Sequence, residues 1–310
     1  MTMVGAVSPI SRPAAIAAML GSAACWGSAT VMTKGALDAF GPFTLLSIQL
    51  SASVSVLWLA ALLFGVRLPS FRTSIRTSST GLLEPGLAYA VGVPGLVLTT
   101  ASNATVIASL EPVFILLLAW LLFGATIRRL SILAVLLSVI GVALVSLAYP
   151  GIPLQSAFSG SGTLEGDGLI LLGTLFAALY VIASSRLAHT MPAVLLTALQ
   201  QTAGLALVLS LLCCVVIQGW EALPERVTTS MLLLALVSGV IQYALAFWLY
   251  MVGLKGIPAG MAGLFLTTTP IFGIIGGIIF LGEQIGLLQI AGAGLVIFGL
   301  CWVLSLEREV

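Results

Sequence analysis

The sequence predicts an all-α integral membrane protein whose ten transmembrane helices form two inverted five-helix repeats. Three observations carry that prediction. Only 7% of the 310 residues are charged, 60% are hydrophobic, and the mean hydropathy is +1.22. A soluble domain carries about 25% charged residues, so this chain cannot cover a water-facing surface and its solvent is lipid. The apolar residues also fall into ten runs close to the length that crosses a bilayer, about 20 residues. Finally, residues recur at constant offsets between the two halves of the chain.

The runs lie near 13–36, 43–65, 81–100, 103–124, 130–148, 168–188, 192–218, 230–253, 258–281 and 285–305. The first begins near Pro13 and continues past Lys34, longer than a signal-peptide core, and reads as a retained helix. None shows the period-two alternation of barrel strands. The long segment from Tyr149 to Gly168 has no Lys or Arg and is rich in Gly, Ser and Pro, the composition of a linker. It divides the chain into a first unit over 1–148, an extracytoplasmic linker over 149–167 and a second unit over 168–310. Basic residues orient the stack. With the N-terminus inside, Arg12, Arg67, Arg72, Arg76, Arg128, Arg129, Arg186, Lys255 and Arg308 are cytoplasmic, and only Lys34 and Arg226 lie outside. Both termini are expected in the cytoplasm.

The recurrences run in chain order. Pro112 and Pro270 are 158 residues apart, as are Phe114 and Phe272, Gly124 and Gly282, Gly141 and Gly299, and Glu84 and Gln242. Leu20-Gly21 and Leu172-Gly173 are 152 apart, like Lys34 and Arg186; Pro42 and Pro192 are 150 apart. An odd number of helices per copy turns the second copy upside down relative to the first. That arrangement is common in secondary transporters, whose substrate sites lie near the midplane between repeats.

Three stretches carry a family resemblance: CWGSATVMTKGAL in the first helix, SLEPVFILLLAWLLFG in the fourth, and TTTPIFGIIGGIIFLGEQIGLLQIAGAGLVIFG across the ninth and tenth. They resemble the drug/metabolite transporter superfamily in its ten-helix EamA branch, over nearly the whole chain. The chain departs from the pattern at Gly124-Ala125, where the family often has Gly-Glu. Within the branch it is most similar to the YddG-type bacterial exporters. That resemblance implies a central cavity lined by helices 1, 3, 4, 6, 8 and 9. It also implies outward transport of aromatic and other neutral amino acids across the bacterial inner membrane, with nucleosides or drugs as the alternative cargo on the same fold.

Candidate site residues come from polar or aromatic groups in the apolar runs. Glu111, beside the helix breaker Pro112, falls about 13 Å from the outer end of the fourth helix. Two readings stand: a substrate or proton site, with the Ala108 carbonyl freed by Pro112, or a protonated side chain bonding a neighbouring helix. Its counterpart is Thr269, next to the second breaker, Pro270. Glu84 is expected about three residues into the third helix, near the cytoplasmic face, either snorkelling or closing a gate, with Gln242 near the opposite face. Ser22, Trp26, Thr30 and Thr33 share one face of the first helix, read as a cavity wall or as packing. Tyr243, Phe247 and Tyr250 form an aromatic stripe suited to packing or to stacking on a substrate ring. Tyr89, Asn103, Tyr180, Gln200 and Thr267 complete the candidates, with interhelical hydrogen bonding as their other reading.

Other classes fit less well. The net charge of +1 gives no basic patch for nucleic acid. Cys25, Cys213, Cys214 and Cys301 lie in apolar runs without CxxC spacing, so neither disulfides nor a metal site is expected. There is one histidine, His189, no HExxH and no phosphate-binding loop, and an enzyme, a cofactor or an ATP-driven pump is not expected. The expected partners are lipid and a small-molecule substrate; proton coupling through Glu111 and uncoupled facilitation both remain open.

Overall fold

The computed structural model describes residues 10–37, 39–98, 107–108, 110–124, 129–147, 164–224, 226–269, 271–273, 275 and 287–306. Among these, helices and turns account for the architecture and no strand occurs. The α-helices are α1 (Arg12–Ala36), α2 (Pro42–Leu63), α3 (Phe71–Ser78), α4 (Ala88–Leu98), α5 (Glu111–Phe123), α6 (Arg129–Leu147), α7 (Leu164–Leu187), α8 (Ala193–Ile217), α9 (Thr229–Gly239), α10 (Ala246–Gly253), α11 (Ala259–Leu266) and α12 (Leu287–Leu306). Between α3 and α4 the chain passes through a 3₁₀ turn, Ser79–Leu82, and a π-helical turn, Leu83–Leu87. A second π-helical turn, Val240–Leu245, joins α9 to α10.

Four helical spans among the described residues are long and apolar enough to cross a membrane: Pro42–Leu63, Leu164–Leu187, Ala193–Ile217 and Thr229–Gly253. Shorter apolar helices include Glu111–Leu122 and Ile290–Gly299. Leucines on their outer faces are left bare, with Leu62, Leu63 and Leu121 each at least 70% exposed. Facing lipid, such surfaces cost nothing; facing water they would aggregate. The interior is mainly apolar but also holds polar side chains, and Ser22, Gln49, Ser184, Gln200, Gln201 and Ser238 are all buried. Such groups are expected where helix association depends on packing and interhelical hydrogen bonds rather than on expelling water.

Local chemistry sets the ends. Ser70 accepts a hydrogen bond from the Thr73 amide at the start of α3, and Thr228 from the Met231 amide at the start of α9. The start of α2 is capped from a distance: the Glu221 carboxylate, in the turn after α8, accepts from the Phe43 and Thr44 amides at 3.0 and 2.8 Å. Gly124 ends α5 with a left-handed backbone, φ 63°.

Packing follows a regular scheme. α1 lies against α9 and α10, where Ser22 donates to the Ala246 carbonyl at 2.8 Å. α3 and the turns after it lie against α8, α4 against α7, α2 against α8 and α9, α5 against α11, and α6 against α12. At the α4–α7 contact the backbones nearly touch: a Cβ on Gly95 would stand 3.0 Å from the Gly166 carbonyl oxygen. Helices this close gain dispersion along their whole length.

The third predicted run starts earlier than its hydropathy suggested. Helix begins at Phe71, because Ser70 caps the polar segment FRTSIRTS and that segment packs on α8. The apolar pattern alone could not register a polar helical turn that finds a protein partner.

Candidate functional site

Two interrupted helices bring carboxyl groups to the middle of the fold. Glu84 is the fourteenth residue from Phe71 and Gln242 the fourteenth from Thr229. The Glu84 charge reaches Tyr243, the neighbour of Gln242, so the two lie together in the interior of the fold; this corrects the expectation of Glu84 near the cytoplasmic face and Gln242 near the opposite one. Glu84 has extended backbone angles, φ −147° and ψ 129°, inside an otherwise helical path, and its peptide bond to Pro85 is cis. Proline bars helical geometry at the residue before it and supplies no amide hydrogen, so the chain breaks here. Gly204 of α8 faces the Pro85 ring, and Gly86 faces Leu207.

The second break precedes Glu111. A turn at Leu110, whose amide donates to the Ile107 carbonyl at 3.0 Å, leads into α5, which starts at Glu111. The expectation of a continuous helix with Glu111 nine residues inside it is thus corrected. Pro112 occupies the first turn, where no intrahelical acceptor awaits its missing amide hydrogen, and Glu111 lies at the positive end of the helix dipole. Glu84 and Glu111 are close enough for their charges to act on each other.

Aromatic rings enclose this pair. Trp26 meets Phe247 edge-on at 5.0 Å and Tyr250 at 5.6 Å. Tyr89 meets Tyr243 at 5.6 Å, Tyr180 meets Phe247 at 5.8 Å, and Tyr243 stacks on Phe247 at 6.2 Å. Tyr243, Phe247, Tyr250 and Tyr180 are fully buried, whereas Trp26, Tyr89, Glu84 and Glu111 keep some accessible surface although they lie deep in the protein. These four side chains are the accessible part of the cluster. The Gln242 amide donates to the Tyr243 hydroxyl at 3.4 Å, and the Tyr250 hydroxyl has no hydrogen-bond partner among the described residues.

Two glutamines join this cluster through matching bonds. The Gln49 amide on α2 donates to Thr33 of α1 at 2.9 Å and to Ser238 of α9 at 3.0 Å. The Gln200 amide on α8 donates to Ser184 of α7 at 2.9 Å and to Thr80, before the Glu84 break, at 2.8 Å. Gln49 and Gln200 stand 151 residues apart, as do Thr33 and Ser184; Ser238 and Thr80 are separated by 158. Backbone contact repeats the match: a Cβ on Gly239 would collide with the Gln49 backbone, and one on Gly81 with that of Gln200. The Gln242 carbonyl oxygen also accepts from Thr33 at 2.8 Å, and the Gln200 carbonyl oxygen from Tyr180 at 3.1 Å.

Of the residues singled out in the sequence, the structure thus gathers Trp26, Glu84, Tyr89, Glu111, Tyr180, Gln242 and Tyr243. Thr267 is buried at the end of α11, its hydroxyl donating to the Leu264 carbonyl at 2.7 Å, with a turn at Thr267-Thr268 in place of the continuous helix expected over 258–281. Asn103, Pro270 and residues 149–163 of the linker lie outside the described residues, as does the side chain of Thr30. Sequence reading missed Gln49, Thr80, Ser184 and Ser238. An amide in an apolar run was the available signal for Gln49, and the small hydroxyls carried none. A separate crevice of ≈ 310 Å³ lies between the start of α2 and the ends of α4 and α8, lined mainly by Phe43, Pro94, Leu98 and Trp220 beside the Glu221 cap.

Comparison with known proteins agrees with this architecture. A protein of known crystal structure superposes with a TM-score of 0.77 over 96% of this chain and 99% of its own, at 20% identity, a likeness of fold. An uncharacterized transporter of Archaeoglobus fulgidus is 22% identical over 284 residues, covering 89% of this chain and 93% of its own length. Uncharacterized transporters of Methanothermobacter thermautotrophicus and Synechocystis are 26% and 25% identical over 68% and 71% of this chain. Those matches span 58% and 62% of the relatives' own lengths. The profile of the EamA-like transporter family matches twice, over residues 13–147 and 164–305. An all-helical chain with lipid-facing apolar spans, broken helices around a polar centre and this double match belongs to the EamA-like transporter family, and is a membrane transporter.

Proposed function

We propose that this transporter is a secondary carrier that exports amino acids, aromatic and other neutral ones, by alternating access between two inverted five-helix units. The observation that carries the reading is the pair of helix breaks at Glu84 and Glu111, which place two carboxyl groups among aromatic rings; we take this cluster to line a substrate cavity near the bilayer centre. Non-helical backbone at that depth is tolerated where it lines a cavity, and discontinuous helices there commonly form the substrate site. A duplicated unit is supported by the two family matches, by π-helical turns before α4 and α10, and by the matched Gln49 and Gln200 bonds. Exchange of the two units maps α1–α9/α10 packing onto α7–α4 packing, and returns α5–α11 and α6–α12 to themselves. Each unit can therefore adopt the other's conformation at little cost in energy. The excess of Arg and Lys on one side supports an inner-membrane setting with both termini cytoplasmic. The YddG-type likeness supports the substrate class and the outward direction.

Counterflow tests the proposal. Protein reconstituted with unlabelled tryptophan inside should accumulate labelled tryptophan transiently and saturably, and phenylalanine should compete. Linear, unsaturable flux would point to a channel. Saturable exchange of a nucleoside with none of any amino acid would move the substrate class elsewhere.

A further inference from the structure

We propose that the cavity recognises its substrate by a primary ammonium group, held between Glu84 and Glu111 and beside the Tyr250 hydroxyl, and that a substrate carboxylate is dispensable. The proposal deepens the carrier reading above and rests on it for the transport step alone.

Charge comes first. Glu84 and Glu111 act on each other, and among the described residues no arginine or lysine acts on either. The described basic residues stand instead at helix ends, in the short α3 and in turns: Arg12, Arg67, Arg72, Arg76, Arg129, Arg186, Arg226 and Lys255. Two carboxylates in a low-dielectric interior need a cation or a shared proton between them. The protein supplies no such cation here, so the substrate can.

The second observation is independent of the acids. The Tyr250 hydroxyl is buried, with its residue 1% exposed, and has no hydrogen-bond partner among the described residues. It lies within electrostatic range of Glu111 and Glu84. A buried hydroxyl left unpaired is destabilising, and a ligand donor or acceptor restores the lost bond. An ammonium presents three donors in a compact head, and the site offers three matching groups: two carboxyls and one phenolic oxygen. The ring faces of Trp26, Tyr89 and Tyr250 add attraction for a cation. A carboxylate finds the opposite surroundings. Its natural seat, the positive end of α5, already carries the Glu111 carboxyl, and both acids repel it.

Three probes separate the ends of the substrate: tryptophan, tryptamine, which lacks the carboxylate, and indole-3-propionate, which lacks the amine. Each is tested as a competitor of labelled tryptophan counterflow and for its shift of the protein's Tm. Tryptamine should compete within about threefold of tryptophan and raise Tm. Indole-3-propionate should be about 30-fold or more weaker, the factor expected for a lost charge-assisted hydrogen bond. E84Q and E111Q should each weaken tryptamine by about tenfold or more, with Y250F a smaller loss, while unliganded Tm reports folding. Indole-3-propionate binding as well as tryptamine, or tryptamine failing to shift Tm, overturns the amine site whatever the exchange assay reads. A Tm shift by tryptamine that E84Q and E111Q reduce, without exchange of any probe, would overturn the carrier reading and leave the amine site standing. The wild-type series needs no variant to fold.

Discussion

Gly81 shows how much one residue decides. Its α-carbon lies so near the Gln200 backbone that even a methyl group has no room, whereas Gly92, eleven residues further along, faces open space. Gly81→Ala is expected to cost about 3 kcal/mol or more through overpacking against backbone that cannot retreat; Gly92→Ala should change stability by less than about 1 kcal/mol. Thermal unfolding in one detergent compares the two, and equal Tm values would contradict the contact. Trp26 makes a second residue-scale prediction. Its ring leans on Phe247 and Tyr250, so Trp26→Ala should weaken aromatic substrates by about tenfold and aliphatic ones less, read as counterflow half-saturation.

At the scale of elements, side-chain amides and a distant carboxylate hold the helices together. Glu221 satisfies two amides at the start of α2 across a gap of 178 residues in the chain. Glu221→Ala should lower stability by about 1–2 kcal/mol, the usual worth of a helix cap, and Glu221→Gln by less, both seen as Tm. The glutamine clamps act between elements: Gln49 ties α2 to α1 and α9, and Gln200 ties α8 to α7 and the segment before Glu84. On the proposed two-unit carrier reading the two occupy matched places in opposite units, so Gln49→Leu and Gln200→Leu should bias the protein toward opposite-facing states. Cysteine labelling from each side of sealed vesicles reads the bias. Labelling shifts of the same sign in both variants would dissociate the clamps from gating. Each interhelical hydrogen bond in a membrane protein contributes only about 0.6 kcal/mol on average, so such a clamp is weak enough to open during transport.

For the whole molecule, orientation and duplication are the open quantities that experiment reaches directly. A fluorescent protein fused to either terminus should glow, and a phosphatase fused there should stay inactive, if both ends are cytoplasmic as the basic residues indicate. An active phosphatase at the C-terminus alone would remove the inverted arrangement, because an even number of crossings would no longer connect the ends. The packing scheme makes the same point from within: contacts between the first and second halves dominate, α1 with α9 and α10, α4 with α7, α6 with α12. Neither half shields its polar interior without the other.

Hydropathy and charge determined by themselves that this chain lives in lipid, that it is helical and where most of its spans run, because lipid leaves the backbone no alternative to internal hydrogen bonds. Spacing alone paired Glu84 with Gln242 and Pro112 with Pro270. Proximity was the quantity it misjudged, because Glu84 and Gln242 are expected near opposite faces and the fold brings Glu84 within charge range of Tyr243. A polar stretch such as FRTSIRTS registers as loop in hydropathy, yet it folds as helix on α8. The meeting of Glu84, Glu111, Trp26 and Tyr250, and the bonds of Gln49 and Gln200 to small hydroxyls up to 189 residues away, were decided by tertiary structure alone. Buried polar groups must find partners, and which partners are in reach depends on how the helices cross, a relation that no linear pattern records.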